Sequence, residues 1–184
     1  MRKTHLFVLF CVLSCAGWAI AQPQTYRKTL DQSAEVQGYP CAKGYAWFYQ
    51  SGHLRNCTVA KEIAFGEATI PAGSWITLTE DGKPQIAQMS HDTNVAGVMC
   101  LGGGLLGSST GPVVAFYPSG KVKECFLAAD QLVQGVPCAQ GGFVASISHV
   151  DPSLKLYESG KLKSCKLAAD YGGMKKGDRF QQAP

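Results

Sequence analysis

His91-Asp92 and His149-Val150-Asp151 are the two places where an imidazole stands within two residues of an aspartate. Such a pair moves protons only when the carboxylate is oriented onto the ring, and adjacency along the chain does not achieve that. His53 stands where two related phrases carry lysine, so it reads as a surface substitution. Glu35, Glu62, Glu67 and Glu80 leave glycoside cleavage by paired carboxylates open without supporting it. No histidine belongs to a nucleophile elbow or a paired-histidine metal motif. The sequence assigns no catalytic residue, no metal ligand and no cofactor.

Cysteine is the other reactive type. Eight are present, of which Cys11 and Cys15 fall in an N-terminal apolar run, leaving Cys41, Cys57, Cys100, Cys125, Cys138 and Cys165. No Cys-x-x-Cys occurs, so neither a zinc ribbon nor a redox dithiol is indicated. An even number in an exported chain reads as a disulfide framework. Six cysteines permit fifteen pairings, and sequence alone does not choose among them. Their distribution favours Cys41 with Cys57, Cys100 with Cys125 and Cys138 with Cys165, because each pair brackets one recurring phrase.

That phrase dictates the elements. Phe48 to Cys57, Phe116 to Cys125 and Leu156 to Cys165 align without gaps on a central glycine, and Leu78 to Ala87 is a fourth, degenerate copy with Ala87 in the cysteine position. The centres Gly52, Gly82, Gly120 and Gly160 lie 30, 38 and 40 residues apart. Periods of this size belong to stacked supersecondary units. Pro118-Ser119-Gly120 gives the mechanism: proline presets the first turn position, serine accepts the second, and glycine takes the left-handed position of a three-residue hairpin loop with a bulge. Gly38-Tyr39-Pro40-Cys41, Gly97-Val98-Met99-Cys100 and Gly135-Val136-Pro137-Cys138 precede the complete copies. Ile70 to Trp75 and Met174 to Phe180 read as linking strands. Helical periodicity is weak throughout. The expected fold is all-β, with tandem hairpins in a meander or short solenoid, stapled by disulfides.

The phrase aromatic-Tyr-x-Ser-Gly-Lys-Leu-Lys resembles the MORN-type repeat variants of bacterial exported proteins, over about Gly38 to Phe180. The resemblance implies side-by-side hairpins and scaffold, membrane-associated or protein-binding roles, with no catalytic residues to transfer. These units are longer than MORN repeats and carry cysteine pairs.

Met1 to His5 is basic, Leu6 to Leu13 is apolar, and Ala19-Ile20-Ala21 offers a small-x-small cut, so residues 1–21 read as an export signal. Lipidation at Cys15 is the lesser alternative, since bulky Leu13 stands where a small residue is usual. Residues 22–36 read as a tail and 37–184 as the hairpin domain. The formal net charge of +4 falls to +2 without Arg2 and Lys3. With charged residues at only 16% and no arginine-rich stripe, nothing calls for nucleic acid. The uncharged stretch between Asp92 and Lys121 holds too many glycines for a lipid-facing helix, and reads as a loop feeding a buried strand.

After each central glycine, the first and third residues are His53 and Arg55, Lys121 and Lys123, and Lys161 and Lys163. On a regular strand they share one face, opposite Leu54, Val122 or Leu162. Stacked hairpins would line these cations up towards a cell-wall polymer, an anionic membrane surface or an envelope protein; solvated edge protection is the plainer use. The expected function is a non-catalytic exported binding or scaffold module, periplasmic or extracellular. The alternative is a small envelope hydrolase that gathers His91, Asp92, His149 and Asp151 in one pocket.

Overall fold

The computed structural model describes residues 24–103, 112–142 and 151–184. Residues 1–21, read from the sequence as an export signal, with Cys15, the centre of the glycine-rich stretch and His149 lie outside the described residues. The architecture is all-β and is dominated by one antiparallel sheet of 11 strands. Its spatial order is β1 (Thr25–Leu30), β3 (Tyr39–Tyr49), β4 (Leu54–Val59), β7 (Trp75–Leu78), β8 (Pro84–Gln88), β11 (Val114–Phe116), β12 (Val122–Cys125), β15 (Leu154–Leu156), β16 (Leu162–Lys166) and β17 (Arg179–Gln181). The eleventh strand, β2 (Ala34–Val36), pairs with the start of β3.

Three short hairpins interrupt this meander: β5 (Ile63–Phe65) with β6 (Ala68–Ile70), β9 (Thr93–Val95) with β10 (Val98–Cys100), and β13 (Gln131–Val133) with β14 (Val136–Cys138). Their alternate residues Phe65, Ala68, Ile70, Val95, Val98, Cys100, Val133, Val136 and Cys138 join the buried core with the inward side chains of the sheet. Two layers result, the sheet and the short hairpins covering one face of it. The inward row runs Ala46, Cys57, Ile76, Ala87, Val114 across register partners, and Cys125, Leu154, Cys165, Phe180 beyond.

Cys100–Cys125 and Cys138–Cys165 staple the covering layer to the sheet, and Cys41–Cys57 joins the start of β3 to β4 within it. Cys41–Cys57, Cys100–Cys125 and Cys138–Cys165 have Cα separations of 5.8, 6.0 and 5.6 Å, within the range a disulfide requires. This is the pairing favoured from the sequence. Between β6 and β8 the corresponding places hold Ile70 and Ala87, both fully buried. Closing loops of 16, 25 and 27 residues contributes about 3 kcal/mol each in the chain-entropy model.

The turns follow the sequence reading. Gly52, Gly82, Gly120 and Gly160 all have φ between +78° and +85°. Each donates its amide three residues back, to Tyr49, Thr79, Tyr117 and Tyr157. At Gly120 a second constraint applies, because a Cβ there would meet Gly66 Cα at 2.9 Å.

Three expectations are replaced by something more specific. Residues 25–30, read as part of a tail, are an edge strand paired with β3 over its whole length, anchored by Tyr26 stacked on Phe48 at 5.6 Å. Ile70 to Trp75 and Met174 to Phe180 are not continuous linking strands: residues 71–74 and 175–178 are turns, the first between Ile70 of β6 and Trp75 of β7 and the second leading into Arg179 and Phe180 of β17. In each, a glycine amide, Gly73 or Gly177, caps the end of an earlier strand at Val59 or Leu167. The glycine-x-x-cysteine phrases are the second halves of short hairpins, whose turns Gln37-Gly38, Ala96-Gly97 and Gln134-Gly135 have both central residues at positive φ. That conformation matches the right-handed twist of the flanking strands.

Candidate functional site

The sheet has one face under the short hairpins and one face turned outward. An outward row crosses ten neighbouring strands of the sheet through successive register partners: Arg27, Trp47, Asn56, Thr77 and Ile86, then Ala115, Glu124, Lys155, Ser164 and Gln181. None of these belongs to the hydrophobic core. At about 4.8 Å per strand the row is about 43 Å long.

A bulge recurs beside this row. Register slips by one residue between Trp47 and Phe48, Thr77 and Leu78, Ala115 and Phe116, and Lys155 and Leu156. The extra residues are Arg55, Gln85, Lys123 and Lys163. A bulge leaves its extra residue unpaired and re-aims it, so strict alternation after the turn glycine does not hold. Leu54, Val122 and Leu162 still point into the core, at 1% exposure or less. The side chains of Lys123 and Lys163 are exposed and that of Arg55 is half-buried.

The cations expected to form a ladder therefore lie in two groups. Lys121 and Lys161 are exposed at the turn end of the sheet, while Arg55, Lys123 and Lys163 occupy bulges over the outward row. Gln85 takes the bulge between Arg55 and Lys123, so the line is interrupted there. Lys155, which the sequence reading did not single out, fills the step between β12 and β16 and faces Glu124 across the register. Lys163 Nζ lies 5.4 Å over the Tyr157 ring.

Aromatic residues gather at the opposite end of the same face. Tyr45 and Trp47 are successive outward residues of β3, and Trp75 is outward on β7, paired with Thr58 and Gln88. The Arg27 guanidinium lies 4.2 Å from the Tyr45 ring centre and 5.8 Å from that of Trp47. Tyr45 is 52% exposed, and Trp47 and Trp75 are half-buried. Asn56, between Trp47 and Thr77, is only 8% exposed, and its Oδ1 accepts no hydrogen bond from the described residues.

The hairpin tyrosines do structural work instead. The hydroxyls of Tyr49, Tyr117 and Tyr157 donate to the carbonyls of Leu78, Leu156 and Gln182 at 2.8, 2.9 and 2.8 Å. Each ties its turn to the neighbouring strand pair. Burial, with help from Glu158 and Glu124, raises the Tyr117 phenol above its ordinary value. His53 Nδ1 lies 2.7 Å from the Glu80 carbonyl, which accepts only, so that nitrogen carries the proton.

The acid–base candidates are engaged elsewhere. Asp92 accepts from the Gly102 amide at 2.8 Å, His91 Nδ1 pairs with the Ser90 hydroxyl at 3.1 Å, and Asp151 forms an ion pair with Arg179. Asp130 and Asp170 repeat the Asp92 role, accepting from the amides of Gln140 and Lys176. These carboxylates close the bases of loops. Among the described residues no cluster of histidine, cysteine and carboxylate side chains is arranged to hold a metal, and no helix is long and apolar enough to cross a membrane.

Three disulfides between fully buried cysteines fit an oxidising compartment. No family model, curated protein or solved structure matches the chain.

Proposed function

We propose that this protein is an exported, non-catalytic module of hairpin repeats that binds a surface of the cell envelope through the outward face of its sheet. The observation that carries this reading is the outward row itself. It is long, no second layer of described residues covers it although Asn56 and Ser164 within it are buried, and Arg27, Arg55, Lys123, Lys155 and Lys163 stand along it with Glu124 as the acidic member of the row. Extended faces built from recurring units suit extended ligands.

The repeat reading rests on equivalent bonds. Ala60, Ala128 and Ala168 donate their amides to the residues just before a disulfide cysteine, Pro40, Met99 and Pro137. We read the long hairpins as MORN-like, each with an added covering hairpin. The basic leader with its Ala19-Ile20-Ala21 cut and the disulfides together support export to the periplasm or beyond.

The test is co-sedimentation of the purified oxidised protein with isolated sacculi, and separately with anionic and neutral vesicles, at low and high salt. Salt-sensitive pelleting with an envelope fraction is the expected result. Failure to pellet with all of them contradicts the reading.

A further inference from the structure

Resting on that reading of the outward face, we infer its ligand class: an acidic polysaccharide, whose sugar rings lie on Trp47 and Trp75 and whose anionic groups meet the cations farther along the row. Two features of the face converge on this chemistry.

The first is the aromatic patch. Tyr45, exposed, and Trp47 and Trp75, both half-buried, lie together on the outward face of the sheet and outside the hydrophobic core. A pyranose offers a C–H face for such rings and hydroxyls around its rim, and tyrosine and tryptophan supply an apolar body with a polar edge. Trp47 and Trp75 are two strand spacings apart and one outward residue offset, about 12 Å in all, so one polymer chain reaches both.

The second is charge. Arg27 is already held over the Tyr45 ring, and Lys123, Lys155 and Lys163 extend the positive character away from the aromatic end. A neutral glucan uses the rings and leaves this charge idle. A polymer carrying carboxylates or phosphates uses both.

The probe is polygalacturonate, measured by affinity electrophoresis and titration calorimetry with the full oxidised chain. Pullulan serves as the neutral polymer, polyglutamate as the anion without rings, and oligothymidylate as the anion with stacking bases. Polygalacturonate is expected to bind most tightly, and salt to weaken it. Tyr45→Ala and Trp75→Ala each weaken it roughly tenfold and leave the polyglutamate affinity unchanged. Tyr45 is exposed enough that its variant keeps the fold if Trp75→Ala does not. Equal retardation by polyglutamate or oligothymidylate, or an affinity unmoved in the folded aromatic variants, overturns the inference. Sacculus or vesicle pelleting without polygalacturonate binding overturns the ligand class and spares the surface-binding reading; loss of both overturns both.

Discussion

Glu67 Oε1 accepts the amide hydrogen of Val122 at 2.8 Å, across 55 residues of chain. Gln37 and Gln134 do the same for Leu54 and Leu162, at 2.8 and 3.0 Å. The glutamines clip a short hairpin to the turn that follows it. Glu67 clips its hairpin to a turn one unit further on, and its own amide donates to the Gly120 carbonyl as well. That is where the sheet lacks a tyrosine tie, because Thr79 occupies the position of Tyr49, Tyr117 and Tyr157 and spends its hydroxyl on Asp81 and Lys83.

Glu67→Ala leaves the Val122 amide without its acceptor and is expected to cost about 1–2 kcal/mol in urea unfolding. Glu67→Gln keeps an acceptor oxygen, as Gln37 and Gln134 do, and is expected to recover most of that loss. Equal destabilisation by both variants would show that charge, not the clip, is what matters.

Alanine at two turn glycines separates conformation from contact. Gly82 has φ +78° with nothing within 4 Å of an added Cβ, so Gly82→Ala should cost about 1–2 kcal/mol for the left-handed backbone alone. Gly120→Ala meets Gly66 Cα at 2.9 Å in addition. Its melting temperature should fall clearly further than that of Gly82→Ala; equal shifts would remove the close approach from the account.

Ile70 at the end of β6 and Ala87 on β8 occupy the places that Cys100 at the end of β10 and Cys125 on β12 hold in a disulfide. The double variant Ile70→Cys with Ala87→Cys is expected to be oxidised by air or a disulfide reagent to a further disulfide, seen as a mass two hydrogen atoms lower and resistance to alkylation. Free thiols in the folded double variant would contradict the equivalence of those places.

The Lys175 ammonium and the Lys176 amide hold the Asp170 carboxyl below its ordinary value of 3.8. A depressed carboxyl stabilises the fold above its unfolded value and loses that contribution as pH falls through the folded one. The turn at 175–178 is therefore expected to stay closed at neutral and mildly acid pH and to open only below the usual carboxylate range. The Lys176 amide proton, followed by NMR, should shift with a midpoint under 3.8; a midpoint above it would contradict the assignment.

The long hairpins were legible because their signal is local: Pro118-Ser119-Gly120 specifies a loop, and leucine or valine beside it specifies the buried side. The disulfide pairs were legible from their joint absence around Ala87. The short hairpins were harder to read, since Gln37, Ala96 and Gln134 are not the asparagine or aspartate that usually announces a two-residue turn. The bulges at Arg55, Gln85, Lys123 and Lys163 have no local signature. They arise from pairing between strands, and so the line of cations differs from the one that simple alternation draws. The aromatic patch went unread for the same reason, because Tyr45, Trp47 and Trp75 come together only once β4 separates β3 from β7.

The outward face is tested most directly by charge variants that differ only in location. Sacculus pelleting at low salt is compared for the parent protein, for Lys123→Gln with Lys163→Gln on the outward face, and for Lys61→Gln with Lys175→Gln, which removes equal charge away from the outward row. The account predicts that the first pair releases the protein into the supernatant and the second leaves it with the pellet. Equal release by both pairs, or none by either, would contradict binding through this face.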